Sequence, residues 1–84
     1  MAISREGVLD HPLRRDIFDI LVKSKDGINV GKIYEKLKDK YPEGVVYKRK
    51  LFYHIGVLIK CGRAKLLKTA DSQSRWDLNL YVAI

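Results

Sequence analysis

Apolar residues recur at intervals of three and four along the first two thirds of the chain, and at intervals of two near its end. The first interval is the period of an amphipathic helix, and the second is that of a half-buried strand. The pattern therefore predicts an N-terminal segment, three helices and a hairpin, which span 1–9, 10–26, 29–41, 46–61 and 64–82.

The first predicted helix has Pro12 in its first turn, where the missing N–H group costs nothing. Its inward face is formed by Leu13, Ile17, Ile20, Leu21 and Ser24. Phe18 and Val22 lie beside this face, which makes the apolar surface wider than a single buried face requires. They predict either the edge of the core or a contact surface for a second chain.

The second and third helices also have one apolar face each. Asn29 is the predicted N-cap of the second helix, because its side-chain oxygen can accept from a free backbone N–H. The inward residues of this helix are Val30, Ile33, Tyr34, Leu37 and Tyr41. Those of the third helix are Leu51, Ile55, Leu58 and Ile59, and Gly62 ends it.

After Gly62 the pattern predicts two strands joined by a polar turn. The first strand is 64–68, and the second has Trp76, Leu78, Leu80 and Val82 on its inward face. Three helices followed by a hairpin predict an α+β fold, a winged helix-turn-helix domain that fills the whole chain of 84 residues.

The formal net charge is +7, and +6 of it falls in residues 45–84, where there are eight Lys and Arg and two Asp. This asymmetry indicates one working face that meets a polyanion. A chain of this length can bury only a modest core, so a deep catalytic cavity is not expected. The composition therefore favours a binding module over an enzyme.

Three segments, DHPLRRDIFDIL, INVGKIYEKL and YHIGVLIKCG, resemble the ArsR-like winged-helix regulators. INVGKIYEKL stands in the place of the family's second helix. DHPLRRDIFDIL is similar to the opening helix of that family, and YHIGVLIKCG is similar to its Tyr-His-Leu-x-x-Leu-x-x-x-Gly ending of the recognition helix. The resemblance covers about residues 10–82. It implies a dimeric transcriptional regulator that puts its third helix in the major groove of DNA and its wing on the backbone or minor groove.

The sequence departs from this family in several ways. The stretch between Leu37 and Val46 is longer than the family's tight turn, so either the second helix or the turn is enlarged. Gly56 stands where the family has a long polar residue. The paired cysteines of the metal sensors are absent, since Cys61 is the single cysteine. We therefore expect no metal, no cofactor and no small-molecule effector.

The outward side of the third helix carries the first set of predicted DNA contacts. Arg49 can offer a bidentate fork to guanine, and Phe52 can contact a thymine methyl group. Tyr53 can donate its hydroxyl to a phosphate, and Gly56 can let the helix sit deeper in the groove. The full set is Tyr47, Lys48, Arg49, Lys50, Phe52, Tyr53 and Gly56. The alternative is a solvated helix end, with Phe52 packed beneath the enlarged turn.

The second set of predicted DNA contacts lies on the wing and consists of Lys65, Lys68, Gln73 and Arg75. Their charges can meet phosphates, and the polar tip can reach a minor groove. The alternative is an edge hairpin that charge protects from sheet aggregation.

Other candidate chemistry is sparse. His54 neighbours the core stripe and is interpreted as a hydrogen-bonded packing residue. Cys61 is interpreted as a small buried residue, with a redox switch or an inter-subunit disulfide as the alternative. No catalytic constellation, phosphate-binding glycine loop or membrane span of about 20 apolar residues is visible. A cytoplasmic protein is expected.

These observations predict a sequence-specific regulator that binds double-stranded DNA, as a homodimer formed through the first helix with Phe18 and Val22, and through Ile3, Val8 and Leu9. Two other hypotheses stay open. The same scaffold can be a protein-interaction module or a binder of structured RNA. Architectural DNA binding without sequence preference is a variant of the first hypothesis.

Overall fold

The structure, a computed structural model, describes residues 7–70 and 73–84. Three helices come first, namely α1 (Pro12–Lys23), α2 (Val30–Leu37) and α3 (Lys48–Lys60). They are followed by strand β1 (Ala64–Lys68), a 3-10 helix (Gln73–Leu78) and strand β2 (Leu80–Ala83). The predicted α+β layout of three helices and a two-stranded antiparallel sheet is confirmed, and it is consistent with a winged helix.

One apolar stripe from each helix meets in the core. The inward residues at 4% exposure or less are Leu13, Ile17, Leu21, Val30, Ile33, Leu37, Leu51, Ile55 and Leu58. Burial of one such side chain contributes about 1.5–3 kcal/mol. Ile59 was also predicted to face inward, but it is exposed because it lies past the edge of the α3 stripe. The core therefore fixes which side of α3 faces outward.

The connection between α1 and α2 is set by two local features. Asn29 caps α2, since its Oδ1 accepts from the backbone N–H of Lys32 at 2.8 Å. Gly27 has a φ of +93°, and a Cβ at this position would lie 2.9 Å from Cδ2 of Leu67 and 3.1 Å from Cβ of Leu80. Glycine is therefore required here by both backbone conformation and space.

The turn between α2 and α3 is enlarged, because α2 ends at Leu37 rather than at the predicted residue 41. The turn is held against α1 through Asp16, which accepts from the Tyr41 hydroxyl and pairs with Lys40 at 3.1 Å. The Tyr41 hydrogen bond lowers the pKa of Asp16. Burial and the same bond raise the pKa of Tyr41 to about 12.

The sheet pairs Ala64 with Ala83 and Leu66 with Tyr81, and one register irregularity follows Leu66. A third, single-residue pairing extends it, since Ile28 and Tyr81 exchange both backbone hydrogen bonds at 3.0 Å. The sheet therefore attaches to the α1–α2 connection as well as to α3.

The predicted second strand is wrong in its first half. Residues 73–78 form a 3-10 helix, and the strand begins only at Leu80. Leu78, predicted to face inward, is exposed, whereas Tyr81, predicted to face outward, is buried. The reason is that Trp76 and Asp77 both contact α3, which a strand with alternating faces would not allow.

The ends of the other helices also differ from the prediction. α1 covers Pro12–Lys23 rather than 10–26, and α3 covers Lys48–Lys60 rather than 46–61. Such differences of one to three residues are usual at helix ends, where the last turns lack backbone partners.

Candidate nucleic-acid interface

The exposed face of α3 carries a stripe of four residues at positions i, i+4, i+7 and i+11, which are Arg49, Tyr53, Gly56 and Lys60. This spacing places them on one side of the helix. At 1.5 Å per residue the stripe is about 16 Å long, with a cation at each end. It faces away from the buried stripe of Leu51, Ile55 and Leu58.

The 3-10 helix lies along one side of this stripe. The ring of Trp76 meets the ring of Phe52 edge-on, with the centroids 4.9 Å apart and the planes at 67°. Asp77 Oδ2 pairs with Lys48 Nζ at 3.4 Å, and the Asp77 side chain is mostly buried. The distal part of the wing is therefore attached to α3 at two points one helical turn apart.

Between α3 and the 3-10 helix lies an open cleft of about 640 Å³, which we call the helix-3 cleft. It is lined by Arg49, Phe52, Tyr53, Gly56, Val57, Lys60 and Trp76. Two of these residues are cations, three are aromatic, and none is acidic. The cleft thus combines an apolar middle with positive charge and suits a ligand that carries negative charge.

Gly56 lies in the middle of α3 and lines the cleft. A Cβ built on it meets no heavy atom within 4 Å, so the packing of the described residues does not require glycine here. Its φ is not positive, so backbone conformation does not require it either. The missing side chain leaves this part of the cleft open.

A buried polar bridge lies behind the exposed stripe. His54 Nδ1 accepts from Arg14 Nε at 3.2 Å, and both side chains are buried. Nδ1 is thus an acceptor, which puts the proton of the neutral ring on Nε2. Burial lowers the pKa of His54 to about 4, with the positive charge of Arg14 as the second cause. The interpretation of His54 as a hydrogen-bonded packing residue is confirmed.

Three predicted contact residues at the start of α3 lie outside the cleft lining. Tyr47 is the N-cap of α3 and is exposed, but its side chain makes no capping bond. Lys48 forms an ion pair with Asp77. Lys50 is half-buried, and its charge helps to lower the pKa of His54, so it lies on the His54 side of the helix.

The predicted wing contacts are spread over different surfaces. Lys68 is exposed at the end of β1. Lys65 lines a second groove with Val22, Lys25 and Leu67, apart from the helix-3 cleft. The side chains of Gln73 and Arg75, predicted as wing contacts, lie outside the described part of the structure.

The predicted dimer surface is only partly exposed. Val22 is half-exposed in the second groove. Phe18 is partly buried against the core, as is Leu9. Val8 is fully buried in its own chain, so the expectation that it faces a second copy is wrong: its side chain completes the core. Ile3 lies outside the described residues.

Sequence reasoning missed three residues of the cleft, namely Val57, Lys60 and Trp76. Lys60 was predictable from the sequence, because it continues the helical spacing of Arg49, Tyr53 and Gly56. Trp76 packs against the core, as the sequence predicts, but it does so from the 3-10 helix rather than from a strand, and this helix also brings its ring against that of Phe52. The buried Arg14 was missed as well.

Several other features of the described residues bear on function. None of their helices is long and apolar enough to cross a membrane. In residues 7–70 and 73–84 no three His, Cys, Asp or Glu side chains form a group that could hold a metal ion. Cys61 caps the end of α3 and is half-buried against the core.

No protein-family model matches this sequence, and no curated protein matches it significantly. The resemblance to ArsR-like regulators therefore stays a prediction from three short segments.

Proposed function

We propose that this protein is a winged-helix transcriptional regulator that binds double-stranded DNA with α3 in the major groove. The observation that carries the proposal is the exposed stripe of α3, with a cation at each end and no acidic residue among the described residues that line the cleft beside it. An α-helix fits the major groove in width, and a basic face is what the phosphates attract.

Each part of the stripe has a role in this proposal. Arg49 presents a planar fork that can bind the O6 and N7 acceptors of guanine. Lys60, about 16 Å along the helix, meets a phosphate at the other end. Tyr53 is exposed and can donate its hydroxyl to the backbone. Lys68 is exposed on the wing and adds charge without reading sequence.

The Lys48–Asp77 pair supports a preorganised surface. It ties the 3-10 helix to the first turn of α3, and the contact of Phe52 with Trp76 does the same one turn later. A surface that is ordered before binding loses less conformational entropy when DNA arrives. In this proposal Lys48 is a positioning residue rather than a base contact.

The proposal includes a homodimer in the cytoplasm, as the resemblance to ArsR-like regulators implies. Two recognition helices about 34 Å apart then read the two halves of a palindromic site. The half-exposed Val22, with Leu67 and Ile84 in the same groove, is the apolar surface available on the α1 side.

The proposal is tested by selecting bound sequences from a random pool of duplex DNA at near-physiological salt, followed by affinity measurements on the recovered site. Arg49→Ala is expected to cost about 1–3 kcal/mol at one base position. Lys36→Ala is the control, because Lys36 is also exposed but lies on α2 and lines neither the helix-3 cleft nor the second groove. An RNA duplex of the same sequence should bind weakly, since its major groove is too narrow for a helix.

Two results would contradict the proposal. One is a pool without enriched sequences. The other is equal loss of affinity in the two variants, which would mean that net charge alone attracts DNA.

A second candidate is a protein-docking module, which the exposed aromatic lining of the cleft favours. Tyr53 is 58% exposed and Phe52 is 43% exposed, although both are large. Apolar surface of this kind is common where proteins bind each other. This candidate predicts weak DNA binding without sequence preference, which the same selection measures.

A further inference from the structure

The middle of the helix-3 cleft is an apolar surface between two cations. Phe52, Tyr53, Val57 and Trp76 all line it, and Gly56 leaves it open between them. Glycine in the middle of a helix is destabilising relative to alanine, and nothing within 4 Å of this position demands it. The space above Gly56 is therefore best explained by a ligand group that enters it.

This step rests on the proposed function. If α3 lies in the major groove, its exposed stripe faces the edges of bases, nearly all of which are polar donors or acceptors. An aromatic surface placed against them would strip water from those groups without replacing their hydrogen bonds. The one apolar group that bases present in the major groove is the C5-methyl group of thymine.

We infer that the helix-3 cleft is a recognition pocket for the C5-methyl group of a pyrimidine. The methyl group occupies only the part of the cleft over Gly56, because one methyl group fills a small share of the 640 Å³. Arg49 and Lys60 at the ends place the DNA backbone and the neighbouring base. Because 5-methylcytosine carries its methyl group on the same ring atom, the pocket would accept methylated cytosine as well as thymine.

The inference is tested on the duplex recovered by selection, in which single thymines are replaced by uracil. This change removes one methyl group and leaves the base pairing unchanged. At the position that meets the cleft, we expect the affinity to fall about fourfold, the effect of burying one methyl-sized group. A second pair of duplexes carries cytosine or 5-methylcytosine at this position in place of thymine. The duplex with 5-methylcytosine should bind more tightly than the one with cytosine, by about the same factor.

Variants of Gly56 assign the effect to the cleft. Gly56→Leu fills the space with a side chain, so the ratio of thymine to uracil affinities should fall to about one. Gly56→Ala leaves part of the space and should give an intermediate ratio. The ratio is the useful quantity, because a general loss of DNA affinity cancels in it. Circular dichroism checks that both variants keep their helices.

The outcomes separate the two proposals. If a specific DNA site is recovered but thymine and uracil bind equally at every position, the methyl pocket is refuted and the DNA-binding proposal stands. If no duplex is bound specifically, both fall. A wild-type preference that Gly56→Leu retains places the methyl group elsewhere and also refutes the inference. Should Gly56→Leu fail to fold, the wild-type ratio and the Gly56→Ala ratio still decide.

Discussion

Arg14 of α1 donates from Nε to Nδ1 of His54 of α3 over 3.2 Å, and the two side chains are buried together. Arg14 also donates from Nη1 to the carbonyl oxygen of Val8 at 3.2 Å. The His54 ring in turn lies 5.3 Å, centroid to centroid, from that of Tyr53 on the exposed stripe. The orientation of α3 thus depends on a buried polar bridge as well as on apolar packing.

This bridge predicts a pH dependence of stability. Burial, helped by the charges of Arg14, His11 and Lys50, lowers the pKa of His54 to about 4. Between pH 6.5 and 4 the unfolded chain takes up a proton on this residue and the folded chain does not. The contribution of His54 to the free energy of unfolding should therefore be constant above pH 6.5. As the pH falls from 6.5 to 4, this contribution should decrease by up to about 3 kcal/mol.

Urea unfolding at pH 7, 5.5 and 4.5 measures this dependence. His54→Gln keeps an acceptor for Arg14 but does not titrate, so its stability should change much less over the same interval. An equal decrease in the wild-type protein and the variant would show that other groups are responsible.

Removing the donor of the bridge should be costly. Arg14→Met leaves the Nδ1 acceptor of His54 and the Val8 carbonyl without this partner inside the protein, and we expect a loss of about 1–3 kcal/mol. Arg15→Met is the matched control, because Arg15 is exposed and its Nε donates to the carbonyl oxygen of Leu9. It should change stability by less than about 0.5 kcal/mol. Similar losses in both variants would contradict a special role for Arg14.

The hydroxyl of Tyr41 is predicted to make a second polar contribution to the stability of the fold. Tyr41→Phe removes the hydrogen bond to Asp16 that holds the enlarged turn, at a cost of about 1–2 kcal/mol given its partial exposure. Tyr34→Phe is the control, since no hydrogen bond of its hydroxyl occurs among the described residues. Equal stability of the two variants would refute the anchoring role.

The same contact predicts two pH effects with opposite signs. The pKa of Asp16 is lowered, so its stabilisation is present above its ordinary value of 3.8 and is lost as the pH falls through the lowered value. The pKa of Tyr41 is raised to about 12, so its stabilisation is present below pH 10 and is lost as the pH rises through 12. Ultraviolet titration of tyrosinate should show one group near 12, which Asp16→Asn moves towards 10.

The helices were predictable because their signals are local. Asn29 lies next to the backbone group that it caps, and the spacing of Leu51, Ile55 and Leu58 contains the period of the helix. The 3-10 helix was not predictable in this way. Its conformation depends on Trp76 meeting Phe52 and on Asp77 meeting Lys48, and these partners are more than 20 residues away in sequence.

The candidate site was predictable only in the half that α3 contributes. Arg49, Tyr53 and Gly56 follow from placing the apolar stripe inward, because the opposite face must then be exposed. The other wall was predicted as a strand, because Trp76 and Leu78 alternate with Asp77 and Asn79. The predicted packing of Trp76 against the core is correct, but residues 73–78 form a 3-10 helix. A cleft between a helix and a wing cannot be read from either segment alone.

Gly56 offers the most direct comparison between folding and binding. Alanine adds a methyl group in open space on a helical backbone, so Gly56→Ala should raise the free energy of unfolding by about 0.5–1 kcal/mol. Gly44→Ala is the matched control, because a Cβ there also meets nothing within 4 Å, but the φ of Gly44 is +86°. Alanine is strained in that conformation, so this variant should be less stable than the wild-type protein.

Urea unfolding of the two variants at pH 7 shows whether each change raises or lowers the free energy of unfolding. Stabilisation by both changes, or by neither, would show that backbone conformation does not decide the effect. If Gly56→Ala is more stable and also discriminates thymine from uracil less well, then glycine at this position lowers the stability of the protein but improves recognition of the methyl group. Loss of discrimination without a gain in stability would instead mean that the new methyl group disturbs α3 itself.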